Sequence, residues 1–225
     1  MTTALTGSDS PTKPPTRRFF PSDPSVLLLA ATVVVAVAVA PFELSKLFGL
    51  PAHALFLHVP VVLVPILAGV VIALAVRPVW RVRYGLAAGV FGIVTMAATI
   101  LTAGAGEKLR DERMQRMGRL RPGGAPAGGP GGAPRQGGGG EGNLLDRHAE
   151  LGSQLRLLVL ALVVLLVVLV ILARYRALST TEGLLANSVL GTVVAALAVV
   201  AAVVSAIWVV RTGHLGAEMT WHEGG

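Results

Sequence analysis

The 225-residue chain contains no cysteine. Disulfides, thiolate metal sites, iron–sulfur clusters and cysteine nucleophiles are excluded together. Charge is also scarce, at 14% Asp, Glu, Lys and Arg, where an average soluble domain carries roughly 25%. That leaves too few polar residues to cover a surface facing water. Aromatic residues make up only 5%. What the chain does have is apolar mass: 53% hydrophobic residues and a mean hydropathy of +0.71. These residues are gathered into long runs instead of being spaced at amphipathic intervals. A soluble enzyme is therefore excluded, and a polytopic α-helical membrane protein is predicted.

The 19 Lys and Arg against 12 Asp and Glu give a formal charge of +7. The basic residues flank the apolar runs, which is where membrane topology places them. No nucleic-acid-binding fold accompanies them, so the expected partner is a lipid bilayer and not nucleic acid.

Residues 1–24 are rich in Thr, Ser and Pro and are read as a disordered tail. Residues 25–50 contain the first apolar run, Val26–Ala40. At about 1.5 Å per residue it barely crosses a core of roughly 30 Å. Two readings fit this segment. It is either a retained membrane anchor or a secretory signal cut after Ala38-Val39-Ala40. Thr16-Arg17-Arg18-Phe19-Phe20 is similar to a twin-arginine signal, whereas Pro41 directly after the cut favours retention.

Four stronger spans follow: Leu55–Val76, Tyr84–Ala103, Leu157–Ala173 and Leu184–Val210. Short polar turns at Arg77–Arg83 and Arg174–Gly183 pair them, and one long connection at 106–147 joins the pairs. The expected fold is all-α, an antiparallel four-helix transmembrane bundle over 51–225 with the N-terminal segment as a fifth apolar span. Within the connection, Glu107–Leu120 reads as a helical continuation of the third span and Gly123–Gly142 as a Gly/Pro-rich linker. Its glycines make no phosphate-binding loop, because no Gly-Lys-Ser/Thr follows.

Orientation follows from the short loops. Lys13, Arg17, Arg18, Arg77, Arg81, Arg83, Arg174 and Arg176 fall on the side of the N-terminus, which assigns that side to the cytoplasm of a bacterial inner membrane. The long connection and the C-terminus are then extracytoplasmic. All five histidines fall on that outer side: His53 and His58 before or at the second span, His148 before the fourth, and His214 and His222 after the fifth.

Imidazole is a common ligand for transition metals and haem iron, and carboxylates complete or orient such sites. His58, His148 and His214 are the candidate cofactor ligands, with His53, Glu107 and Glu218 as further metal-ligand candidates. The candidate cofactor is haem b or a transition metal, in a redox-associated role. His53 and His58 sit five apart, about 140° around a regular helix, so ligands would come from different helices.

Against this stands a bland reading, a hydrogen-bonded polar cap on the bundle. The corresponding functional alternative is non-enzymatic: a structural or assembly partner in the envelope, acting as a homo-oligomer or docking another membrane protein on the Leu/Val face of Leu157–Ala173. No catalytic triad, His-Glu-x-x-His or paired-carboxylate spacing is present, and no Asp, Glu, Lys or Arg lies deep in a span, as ion-coupled transport would need.

Among the apolar spans, Gly85/Gly89 and Ala88/Gly92 form small-xxx-small patterns that predict close helix approach. Thr95, Thr99 and Thr102 form a stripe expected to hydrogen-bond between helices, and Pro65 is expected to kink its span.

At the histidines the chain is similar to a broad family of predicted bacterial integral membrane proteins of unknown function. His53-Ala54-Leu55-Phe56-Leu57-His58-Val59-Pro60 resembles that family's opening His-Pro-x-x-Val-His-Phe-Pro segment. Thr102-Ala103-Gly104, Arg147-His148-Ala149-Glu150-Leu151-Gly152 and Gly213-His214-Leu215-Gly216-Ala217-Glu218 resemble its later motifs, and Gly216–Gly224 its ending. Ala54 stands where the family has proline, and Ala217 where it has glycine. The resemblance covers roughly Pro51–Gly225 and implies a compact four-helix membrane domain with histidines at one end. It implies no established activity.

Overall fold

A computed structural model describes residues 23–41, 46–47, 50–51, 57–119, 141–178 and 188–222. Residues 1–22 of the expected tail, 123–140 of the expected Gly/Pro linker and His53 lie outside the described residues. Asp23 caps and Pro24 opens the first helix, and Glu141 and Gly142 open the fourth, instead of belonging to the tail and the linker. Among the described residues there are five helices: α1 (Pro24–Val39), α2 (His58–Val76), α3 (Pro78–Arg119), α4 (Glu141–Leu178) and α5 (Ser188–His222). Among the described residues the one departure from an all-α fold is an antiparallel pair of two-residue strands, β1 (Lys46–Leu47) with β2 (Leu50–Pro51), in which Leu47 faces Leu50.

Helices α2–α5 are each long and apolar enough to cross a membrane. In that environment every backbone N–H and C=O must be satisfied within the segment, and a helix does this. α1, with 16 residues, is about 24 Å long and falls short of the roughly 30 Å core. α3 runs unbroken for 42 residues, so the expected continuation beyond the third span is present as far as Arg119. α2 likewise continues through Pro65 as one helix.

The four long helices form a ring in which each packs on its sequence neighbours and α5 closes against α2. Contacts between opposite ends make the packing antiparallel: Arg81 at the start of α3 reaches Leu74 near the end of α2, and Trp208 late in α5 reaches Gln154 early in α4. α1 lies in the seam between α3 and α4.

α4 is the centre of the core. Val159, Leu162, Val163, Leu166, Val167 and Val170 are all fully buried on it. The buried part of the Leu/Val run Leu157–Ala173 is therefore not free for docking, whereas Leu157 itself is exposed. That buried part is enclosed by α3, α5 and α1.

The small residues of α3 make the approach they predict. A Cβ at Gly85 would stand 2.7 Å from Val170 Cγ2, one at Gly92 3.3 Å from Val163 Cγ2, and one at Gly89 2.7 Å from Leu28 Cδ1. Gly85 and Gly92 thus admit α4, and Gly89 admits α1. The threonine stripe behaves otherwise. Thr95, Thr99 and Thr102 donate to the carbonyls of Phe91, Thr95 and Ala98 on their own helix. In an apolar surrounding the nearest acceptor for a hydroxyl is the carbonyl one turn back.

The end of the bundle away from the histidines is held by two buried polar devices. A single residue, Arg77, separates α2 from α3, and Pro78 opens α3, where its missing N–H is no loss. Arg81 is 8% exposed. It donates from Nε to the carbonyl of Leu74 at 2.7 Å and from Nη2 to that of Ala75, closing the last turn of α2. Asp23 caps α1 by accepting from the Ser25 N–H at 2.9 Å. The same carboxylate accepts from Arg174 of α4 at 3.0 and 3.2 Å.

Candidate functional site at the histidine-bearing rim

Because α2–α5 alternate in direction, the first turns of α2 and α4 share one end with the last turns of α3 and α5. His58 opens α2 and is exposed there, and His214 on α5 is exposed as well. His148 on α4 is half-buried, with its imidazole seated against α5. A Cβ at Gly216 would stand 3.2 Å from its Cε1 and 3.7 Å from its Nδ1, so the absent side chain makes the seat.

Contacts between helices tie the rim. Arg110 of α3 donates to Asp146 Oδ1 of α4 from Nε at 3.0 Å and from Nη2 at 2.6 Å. Arg156 Nη1 of α4 lies 3.7 Å from Glu107 Oε1 of α3. Trp208 Nε1 of α5 donates to Gln154 Oε1 at 2.9 Å, and Gln154 Nε2 donates on to Glu150 at 3.2 Å. The ion pairs are partly exposed, so each contributes roughly 0–1 kcal/mol. Their joint effect is to set the spacing of three helix ends.

The described sequence-predicted residues, His58, Glu107, His148, His214 and Glu218, share this end. Among the described residues, no group of three His, Asp or Glu side chains could hold a metal ion. Glu107 is engaged by Arg156, Glu218 is exposed, and the side chain of His222 is outside the described residues. Arg110, Asp146, Gln154 and Trp208 are the residues that sequence reading missed. Their signal was weak, because a contact between residues 36 or 54 apart in sequence has no local pattern.

The seat of His148 yields a prediction. Gly216→Leu pushes the imidazole out toward water. Diethylpyrocarbonate modification of His148, followed by mass spectrometry, should rise severalfold in the variant while that of exposed His214 stays level. Equal modification of His148 in both proteins would show that Gly216 does not seat the ring.

Four antiparallel apolar helices with their charges at the two ends define a multi-pass α-helical membrane protein. Residues 49–225 match the family described as "Predicted membrane protein (DUF2231)". The chain belongs to that family, and α1 precedes the matched region. No curated protein and no solved structure matches the chain.

Proposed function

We propose that the chain is a non-enzymatic membrane module, a structural or assembly partner in the bacterial envelope, whose histidine-bearing rim is a polar cap. The observation that carries this reading is the engagement of the rim's polar groups with one another. Asp146 and Gln154 each accept a hydrogen bond from a neighbouring helix and Glu107 forms an ion pair with one, in geometry that spaces helix ends. The bundle lies in the inner membrane with its N-terminus cytoplasmic. Arg77, Arg81, Arg83, Arg174 and Arg176 at the end opposite the histidines support that orientation.

One observation favours a second reading, in which haem b or a transition metal is held at His58, His148 and His214 with help from His53, Glu107 or Glu218. The imidazole of His148 is half-buried at the α4–α5 contact and not in open water. The deciding experiment is purification from cells supplied with haem and metals, then oxidised and dithionite-reduced spectra with elemental analysis. The polar-cap reading expects a colourless, metal-free, folded protein whose thermal midpoint falls in an Arg110→Ala/Arg156→Ala variant. A Soret band or stoichiometric metal that disappears in His58→Ala/His148→Ala overturns it in favour of the second reading.

A further inference from the structure

The ring of four helices has two opposite seams that differ in one respect. α1 fills the seam between α3 and α4, whereas the seam between α2 and α5, across the ring, has no helix laid in it among the described residues. That seam is a groove of about 580 Å³. Buried Ala68 on α2 and Ala202 on α5 form its floor, and Gly69, Ile72, Ala206 and Ile207 stand along its open sides. A Cβ at Gly69 would meet no atom within 4 Å, so the groove is open there.

The groove has a direction. Its lining on α5 runs from Ala202 to Arg211, about 13 Å along a helix axis. This is close to half the roughly 30 Å hydrocarbon core, the depth of one leaflet. Its single charged lining residue, Arg211, sits at the end of this stretch nearest the histidine rim. The guanidinium lies 5.1 Å above the Trp208 ring. Stacking of this kind uses the face of the guanidinium and leaves its in-plane N–H fork directed at other acceptors. Among the described residues Arg211 forms no ion pair with a carboxylate.

We propose that the α2–α5 groove binds one anionic phospholipid from the leaflet at the histidine rim, with an acyl chain along Pro65, Gly69, Val203 and Ala206 and the phosphodiester on Arg211. Apolar depth of one leaflet, ending in a cation that has no carboxylate partner among the described residues, matches both parts of such a lipid. A second copy of the chain fits less well. A two-fold axis along the membrane normal preserves depth, so it would bring two Arg211 guanidiniums to the same height at one interface.

The test is native mass spectrometry of the full chain released from nanodiscs of equimolar phosphatidylglycerol and phosphatidylcholine. Wild type is expected to retain one lipid, with phosphatidylglycerol favoured about fivefold, the ratio that about 1 kcal/mol for one basic residue amounts to. Arg211→Gln should abolish that preference while lipid is still retained. Gly69→Leu, which fills open space and leaves the fold intact, should reduce retention of both lipids. Equal retention of the two lipids by wild type overturns the proposal. So does release as a lipid-free dimer, which would assign the groove to a second copy. Neither outcome bears on the polar-cap reading of the rim, which is tested by spectra and elemental analysis.

Discussion

Gly85→Ala is expected to lower the thermal midpoint of the purified protein by several degrees, although alanine is the better helix former. The new methyl would stand 2.7 and 2.9 Å from the two γ-carbons of Val170, which is fully buried. A β-branched side chain in a helix has essentially one rotamer, so Val170 cannot turn aside and the helices must separate. Overpacking of this kind destabilises by about 1–3 kcal/mol. The midpoint moves about 2–4 °C per kcal/mol for a chain of this length.

The other glycines supply the controls. At Gly89 the clash is with the tip of Leu28, a flexible group that can swing, so Gly89→Ala should have a smaller effect. At Gly69 nothing lies within 4 Å, and Gly69→Ala should be neutral or gain up to about 1 kcal/mol of helix propensity. Val170→Ala in the Gly85→Ala background should restore part of the loss, a coupling that a double-mutant cycle measures. Equal midpoints for Gly85→Ala and Gly69→Ala would show that the α3–α4 seam is not closed at Gly85.

The second large effect is at Asp23. Its side chain is 8% exposed and its partner Arg174 18% exposed, so removing the carboxylate strands a largely buried guanidinium. Breaking a fully buried pair is destabilising by about 3–5 kcal/mol, and losing an N-cap by about 1 kcal/mol. The partial exposure places Asp23→Ala below their sum, and a fall of at least about 2 kcal/mol is expected, read as a thermal midpoint lowered by several degrees. Asp23→Asn keeps a cap acceptor and should fall between the two proteins.

The pH dependence follows from the same contacts. Burial raises the Asp23 pKa, but the hydrogen bonds from Arg174 and Ser25 outweigh it, and the net direction is downward from 3.8. A depressed carboxyl contributes its full stabilisation above the unfolded-state value and loses it as pH falls through the folded value. The gap between wild type and Asp23→Asn should therefore be constant from neutrality to about pH 5 and close below about pH 4. A gap that persists unchanged at pH 2 would show that the charge is not its source.

Much of this architecture was legible in the residues themselves. The four spans are visible as apolar runs because a membrane-crossing segment must be apolar along its length. The glycines of α3 announce close packing, since a missing Cβ has that consequence wherever a neighbour comes near. The side that carries the histidines follows from counting spans. The sequence did not show that Gly85 and Gly92 face α4 while Gly89 faces α1, nor that the Leu/Val face of α4 is the buried centre of the bundle. An all-apolar helix has no amphipathic pattern to mark which side is inside. Lipid and protein interior are equally apolar, so either side satisfies the hydrophobic effect.

The polar residues divide along the same line. Composition and run length alone determined that this is a multi-pass helical membrane protein with its histidines at one end. Those properties depend on the solvent and on counting, and neither needs a partner residue. Only the tertiary structure decided that Arg81 closes α2, that Asp23 anchors α1 to Arg174, and that Glu107 and Asp146 are paired across helices. The Asp23–Arg174 pair joins residues 151 positions apart. A contact of that kind is set by which helix faces meet, and no local pattern in the chain encodes it.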